Sequence, residues 1–161
     1  MFSSVNVHNH LQELDIQHEI FKVPEPAGSM LQAAAALGLE QSQMAVVEVF
    51  VIDDEPTLVV LPADRTVDAE KLKKVSGATE VRKASPEDIS ALTGFISQAI
   101  PPVGLKTAMP AYIDYYTLRE DVVYTGSGEP TAILKIRSYD LVRATGGETV
   151  DLVVSEEETG G

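Results

Sequence analysis

The 161-residue chain contains no cysteine and no tryptophan, and only 12 Lys and Arg stand against 25 Asp and Glu, a formal net charge of −13. Without cysteine there is no disulfide framework, no thiol nucleophile and no thiolate metal site. No apolar run approaches the roughly 20 residues of a membrane-spanning helix, and the N-terminus lacks a signal-peptide pattern. The expectation is a soluble, cytoplasmic protein with no membrane contact. The shortage of base weighs against tight nonspecific binding to a nucleic-acid backbone, which rests on clustered Lys and Arg. The deficit is not confined to one end. Glu148, Asp151, Glu156, Glu157 and Glu158 close the chain without a base, and removing them leaves 20 acids against 12 bases, or −8.

Hydrophobic residues make up 44% of the chain and its mean hydropathy is near zero, values that suit one globular domain with a real core. Val5, Val7, Leu11 and Leu14 have helical spacing behind Ser4 as N-cap. Residues 16–23 alternate as a strand until Pro24 and Pro26-Ala27-Gly28 interrupt them. Ser29 then caps an Ala-rich helix, Met30 to Leu37, which Gly38 ends. Residues 43–52 are β-branched and apolar, Asp53-Asp54-Glu55-Pro56 reads as a turn, and Thr57 to Leu61 returns as its hairpin partner. A basic helix, Ala69 to Val75, stops at Gly77, and Glu80 to Arg82 is a short strand. Ser85-Pro86-Glu87-Asp88 starts a helix that ends near Leu92. Three strand-like runs follow at 111–114, 121–125 and 131–136, then a short helix from Ser138 and a terminal strand, 148–154. Strands outnumber helices and fall into hairpins, which predicts an α+β fold with a mixed sheet. Residues 1–154 form the expected domain, and 155–161 an acidic flexible tail or linker.

Local motifs offer little conventional chemistry. His8 and His10 lie two apart on a predicted helix and so do not share a face; they read as surface residues, and no metal or cofactor is expected. His18 reads as a half-buried structural residue. Ser127 lies between Gly126 and Gly128, but Glu129 occupies the last position of the Gly-x-Ser-x-Gly pattern, so the segment reads as a hairpin turn. Lys71, Lys73, Lys74 and Arg65 form the best basic patch, read as a solvated helix face. The most informative segment is 93–110. It is long, apolar and rich in Pro and Gly, which predicts an ordered loop lining a pocket.

In that loop Thr93-Gly94-Phe95, followed by Ile100-Pro101-Pro102-Val103-Gly104, resembles the signature of the YbaK/ProX family, the bacterial trans-editing aminoacyl-tRNA deacylases; the same fold is the insertion editing domain of prolyl-tRNA synthetases. Other segments agree in order: Ser29 with Ala33-Ala34-Ala35-Ala36-Leu37-Gly38, Leu58 to Arg65 with Val67-Asp68, Tyr112-Ile113-Asp114, Thr125-Gly126-Ser127-Gly128, and Asp140-Leu141-Val142-Arg143. The resemblance spans about residues 10–154. It implies a barrel-like mixed sheet with flanking helices, and hydrolysis of the ester joining a mischarged amino acid to tRNA. It implies loop N–H groups that hold the carbonyl, and a water assisted by a hydroxyl of the terminal adenosine.

The resemblance places the site at the backbone of Gln98, Ala99, Ile100, Pro102 and Gly104, with Ser29, Asp114, Gly126 and Ser127 shaping substrate binding. Two positions depart from the family pattern. The strand after the first long helix carries a family Lys where this chain has Val46, and the family loop has a Gly where this chain has Gln98. Lys106 is the expected substitute cation. Two functional readings follow. One is a deacylase with weakened tRNA binding and degenerate activity. The other is a non-catalytic module that binds a small ligand or partner and is fused to or associated with a signalling protein.

Overall fold

A computed structural model describes residues 2–23 and 30–155. The helix α1 (Ser4–Glu13) is capped by Ser3 rather than the expected Ser4, with the Asn6 side chain accepting from the Ser3 N–H at 2.8 Å. The strand β1 (His18–Lys22) follows, then α2 (Met30–Leu37). The expected cap of α2, Ser29, lies outside the described residues. The hairpin β2 (Ala45–Ile52) and β3 (Glu55–Pro62) turns on two residues, Asp53 and Asp54, both at positive φ (46° and 67°). Glu55 and Pro56, expected in the turn, pair in the ladder with Ile52 and Val51. A two-residue turn with both residues left-handed matches the twist of the strands it joins.

Next come α3 (Ala69–Ser76), capped by the Asp68 carboxylate and stopped at Gly77, and the short strand β4 (Val81–Lys83). The helix α4 (Pro86–Thr93) starts on the Ser85 hydroxyl and ends at Gly94. After the loop come β5 (Ala111–Asp114), a 3-10 helix (Tyr115–Arg119), β6 (Val122–Gly126), β7 (Ala132–Arg137), α5 (Ser138–Thr145) and β8 (Glu148–Val150). The terminal strand is shorter than expected; beyond it Val153 makes only an isolated bridge to Val67.

The α+β expectation holds, and the strands divide between two sheets. One is antiparallel in the order β1-β7-β6; the other has the order β4-β2-β3-β5-β8, with β3, β5 and β8 parallel. They meet where β2 begins. Met44 bridges Tyr124, and the Thr125 hydroxyl donates to the Ala45 carbonyl at 2.7 Å. This gives a barrel-like wrap without closure among the described residues.

Strand alternation sorts the core. Ala45, Val47 and Val49 of β2 face the main core with Leu58 and Val60, α1 residues Val7 and Leu11, and the loop residues Phe95, Ile100 and Val103. Phe50, Ile52, Val59 and Leu61 face a second cluster under Leu72 of α3. The strand β3 is therefore covered on both faces, which explains its continuous apolar run. A third cluster packs Ala33 and Ala34 of α2 on Met44 and Ile133.

Two contacts fix what lies around this frame. Gly126, at the end of β6, lies directly under the loop: a Cβ there would overlap the Ile100 carbonyl oxygen. Asp114 is fully buried at the end of β5. Its carboxylate accepts from the Leu152 N–H at 2.8 Å and the Tyr116 N–H at 2.9 Å, tying the C-terminal segment and the 3-10 helix to the sheet.

Gly126→Ala forces the loop off its seat, and the expected cost is about 1–3 kcal/mol, as for overpacking elsewhere. Urea unfolding checks this through a lowered midpoint at unchanged slope; an unshifted midpoint contradicts the overlap. Burial raises the Asp114 carboxyl above its ordinary 3.8, outweighing the Leu152 and Tyr116 hydrogen bonds that lower it. The folded state thus holds this proton more firmly than the unfolded chain. Its stabilising contribution is full below 3.8 and is lost as pH rises through the raised folded value. Wild type should lose stability relative to Asp114→Asn on going from about pH 3.5 to pH 7, measured at constant ionic strength. A difference that stays flat, or grows in favour of wild type, refutes the assignment.

Candidate active site at the 93–110 loop

The loop is an ordered strap. Its base is closed by the Lys106 N–H on the Thr93 carbonyl at 2.9 Å and the Thr107 N–H on the Leu92 carbonyl at 3.0 Å. Thr93 is buried; its hydroxyl donates to the Ile89 carbonyl at 2.6 Å and accepts from the Phe95 N–H at 3.0 Å. These bonds consume the helix-end polar groups that the chain must satisfy before it can run through an apolar region. Phe95, Ala99, Ile100, Pro101, Pro102 and Val103 are all buried, so the segment is ordered and folded into the core.

The expected site residues separate into two sets. Ala99, Ile100, Gly126 and Ser127 are brought together. The Ala99 carbonyl accepts from the Gly128 N–H at 2.8 Å, and the Ala99–Ile100 backbone rests on Gly126. Pro102 and Gly104 continue the same strap. Gly104, at φ +75°, faces α1: a Cβ there would lie within 3.4 Å of the Asn6 and Val7 backbone, so the strap has α1 behind it. Ser127 is buried, and its hydroxyl donates to the Ala132 carbonyl at 2.8 Å while accepting from the Glu129 N–H at 3.2 Å. That hydroxyl is fully used in shaping the turn.

Gln98 lies in the 3-10 turn Ser97–Ala99, with its side chain exposed and its backbone outside the positive-φ set. The replacement of a family Gly there needs no left-handed conformation. Val46 is half-buried and packs with the cluster of Phe50, Val59 and Leu61, on the opposite face of β2 from Ile100. Its side chain and the strap are not brought together. Asp114 sits at the end of β5 with both oxygens engaged by backbone amides. Lys106 is exposed at the base of the strap. Ser29 lies outside the described residues.

Sequence reasoning missed Glu129, whose carboxylate accepts from the Ser4 N–H at 3.1 Å and so joins the turn to the start of α1. It also missed a cluster in which the Arg65 guanidinium lies 4.3 Å from the Tyr116 ring centre and that of Arg119 lies 5.4 Å from it. Arg65 and Tyr116 are far apart in sequence; Arg65 showed only as part of a basic patch with the lysines of α3, and nothing local joins it to Tyr116. The histidines form a different pair from the one considered: His8 Nδ1 meets His18 Nε2 at 2.8 Å, and His18 Nδ1 meets the Ile16 carbonyl at 2.8 Å. The second bond assigns a proton to His18 Nδ1.

What the strap offers is positioned backbone rather than an activated side chain.

The sequence profile of the family described as "Aminoacyl-tRNA editing domain" matches residues 24–144. An Enterococcus faecalis protein provisionally named Cys-tRNA(Pro)/Cys-tRNA(Cys) deacylase EbsC is 24% identical over 124 residues, 76% of each chain. A proline–tRNA ligase of Nitratidesulfovibrio vulgaris is 31% identical over 94 residues; the match covers 58% of this chain but only 16% of the ligase. A crystal structure provisionally described as a trans-editing enzyme for prolyl tRNA synthetase superimposes with a TM-score of 0.87 at 28% identity, covering 96% of this chain and 99% of the other. With the profile match running from the end of β1 through α5, well over half of its length, the chain belongs to the aminoacyl-tRNA editing domain family.

Proposed function

We propose that this protein is a trans-editing deacylase that hydrolyses the ester between a mischarged amino acid and tRNA, with activity below that of relatives that keep the family Lys. The observation that carries the reading is the Ala99–Ile100 backbone seated on Gly126 and bonded to Gly128. A strap held this way presents main-chain groups at fixed positions without reorganisation during reaction. Water adds to the ester carbonyl, and a hydroxyl of the terminal adenosine positions it. The C–O bond to the ribose breaks, and the proton from water passes to the leaving ribose oxygen. The products are a free amino acid and an uncharged tRNA. The chain supplies the binding crevice and the oxyanion contacts, and no covalent intermediate forms on Ser127, whose hydroxyl serves the turn.

The reduced activity follows from charge. With Val46 where the family Lys stands, the strand has no cation to offer a phosphate, and the net charge of −13 adds long-range repulsion. In this proposal residues 1–154 act as the editing unit, and tRNA is the partner.

The test is ester loss from tRNA(Pro) carrying Ala, Cys or Ser, compared with spontaneous hydrolysis. Acceleration of at least one is expected. Lack of acceleration with all three substrates sinks the deacylase reading. Ligand-dependent thermal stabilisation without turnover would instead identify a binding module.

A further inference from the structure

Helical spacing separates His8 from His10, but the fold carries His8 of α1 to His18 at the start of β1. Nδ1 of His8 lies 2.8 Å from Nε2 of His18. The other nitrogen of His18, Nδ1, lies 2.8 Å from the Ile16 carbonyl, which can only accept. The proton of the neutral His18 ring therefore sits on Nδ1, and Nε2 keeps its lone pair. A far N–H held by a backbone carbonyl is the arrangement of metal-bound histidines, because that bond fixes both tautomer and ring orientation. His18 is half-buried and His8 is exposed, so one ring is held while the other can adjust.

The spacing selects among ions. Two nitrogens 2.8 Å apart suit bonds of about 2.0 Å at about 90°, the cis positions of a tetragonal ion, whereas tetrahedral zinc needs them about 3.3 Å apart. The two nitrogens face each other across the contact, so an ion beside it needs a turn of the exposed His8 ring while His18 stays on Ile16. Glu19, next to His18, alternates to the other face of β1, opposite Lys135. Among the described residues no group of three or more His, Cys, Asp or Glu is placed to hold a metal. Water therefore fills the remaining positions of an ion held by this pair, and the ion stays exchangeable.

We propose that His8 and His18 form a site for a late first-row divalent ion of tetragonal preference, with Cu2+ held most tightly, and Ni2+ and Zn2+ less so. The order follows the intrinsic preference of nitrogen ligands among these ions. In the bound form His8 carries its proton on Nε2, and both rings ligate through the nitrogens that now face each other. The ion clips α1 to β1. His8 follows Val7, whose backbone lies behind Gly104, so the clip acts one residue from a contact through which α1 backs the strap. The site uses no residue of the strap and is independent of the deacylase reading.

The test titrates the whole protein with nickel(II) chloride in a non-coordinating buffer at neutral pH, read by calorimetry. One ion per chain is expected. His8→Gln and His18→Gln should each weaken binding by about tenfold or more, at least the cost of losing an outer-shell partner in other sites. The double variant should be little worse than either single one, because a lone imidazole no longer chelates. His10→Gln, which alters a different side of the same helix, should bind as wild type does. Saturating Ni2+ should raise the melting temperature of wild type and leave that of His8→Gln unchanged. With Cu2+, electron paramagnetic resonance should show coupling to two imidazole nitrogens in wild type and to fewer in His8→Gln. Melts without metal check that each variant is folded, and the exposed His8→Gln keeps the test decisive should His18→Gln melt low. Equal binding by wild type and His8→Gln overturns the proposal, in favour of ions scattered over surface histidines. The absence of both heat and a thermal shift with Ni2+ and Cu2+ also overturns it. Zn2+ bound more tightly than Cu2+ overturns the tetragonal assignment.

Discussion

The seat of the Ala99–Ile100 backbone on Gly126 is the contact on which the rest of the site depends. It joins a loop that follows α4 to a strand of the other sheet. It is also intolerant: one carbon on Gly126 would occupy the space of a carbonyl oxygen. The neighbouring bond from the Gly128 N–H to the Ala99 carbonyl fixes the strap in the remaining direction. The two sheets are themselves joined a few residues away, through Met44–Tyr124 and the Thr125–Ala45 bond. Site geometry and sheet-to-sheet packing are therefore parts of one arrangement, and a change in either disturbs both.

Much of the fold was legible because its signals are local. Asp68 and Gly77 mark both ends of α3, and Ser85-Pro86 and Gly94 mark those of α4. The hairpin of β2 and β3 shows in its apolar runs, although Pro56 made the turn look two residues longer than it is. A proline near the end of a strand is tolerated because β5 pairs with β3 only from Leu58 onward. The split into two sheets was not legible, because it depends on pairings such as β3 with β5 that join residues about fifty apart. The loop could be recognised as ordered from its apolar, Pro-rich composition, but nothing local says that it lands on Gly126. The cluster of Arg65 with Tyr116 was hidden for the same reason.

Val46 shows where a one-dimensional alignment stops. Its position in the strand follows from sequence, but the direction of its side chain follows from alternation within the sheet. That direction is toward the α3 side, away from Ile100. Gln98 makes the complementary point. Glycine at a family position invites an argument from backbone freedom, yet the 3-10 turn here uses an ordinary right-handed conformation that any residue adopts. The departure at Gln98 concerns an exposed side chain on the strap, and the departure at Val46 an apolar side chain in place of a charged one.

The helix α1 lies outside the segment matched by the family profile, which begins at residue 24. Yet, with Phe2 just before it, it backs the strap and the turn beside the strap at three places. Phe2 packs edge-on against Phe95, the Asn6–Val7 backbone meets Gly104, and the Ser4 amide holds the Glu129 carboxylate. It works as a buttress behind a wall whose visible face is assembled from later residues. The boundary drawn by shared ancestry and the boundary of the mechanical unit therefore differ. A fragment cut to the first would keep every signature residue of the strap while losing the support that holds it in place.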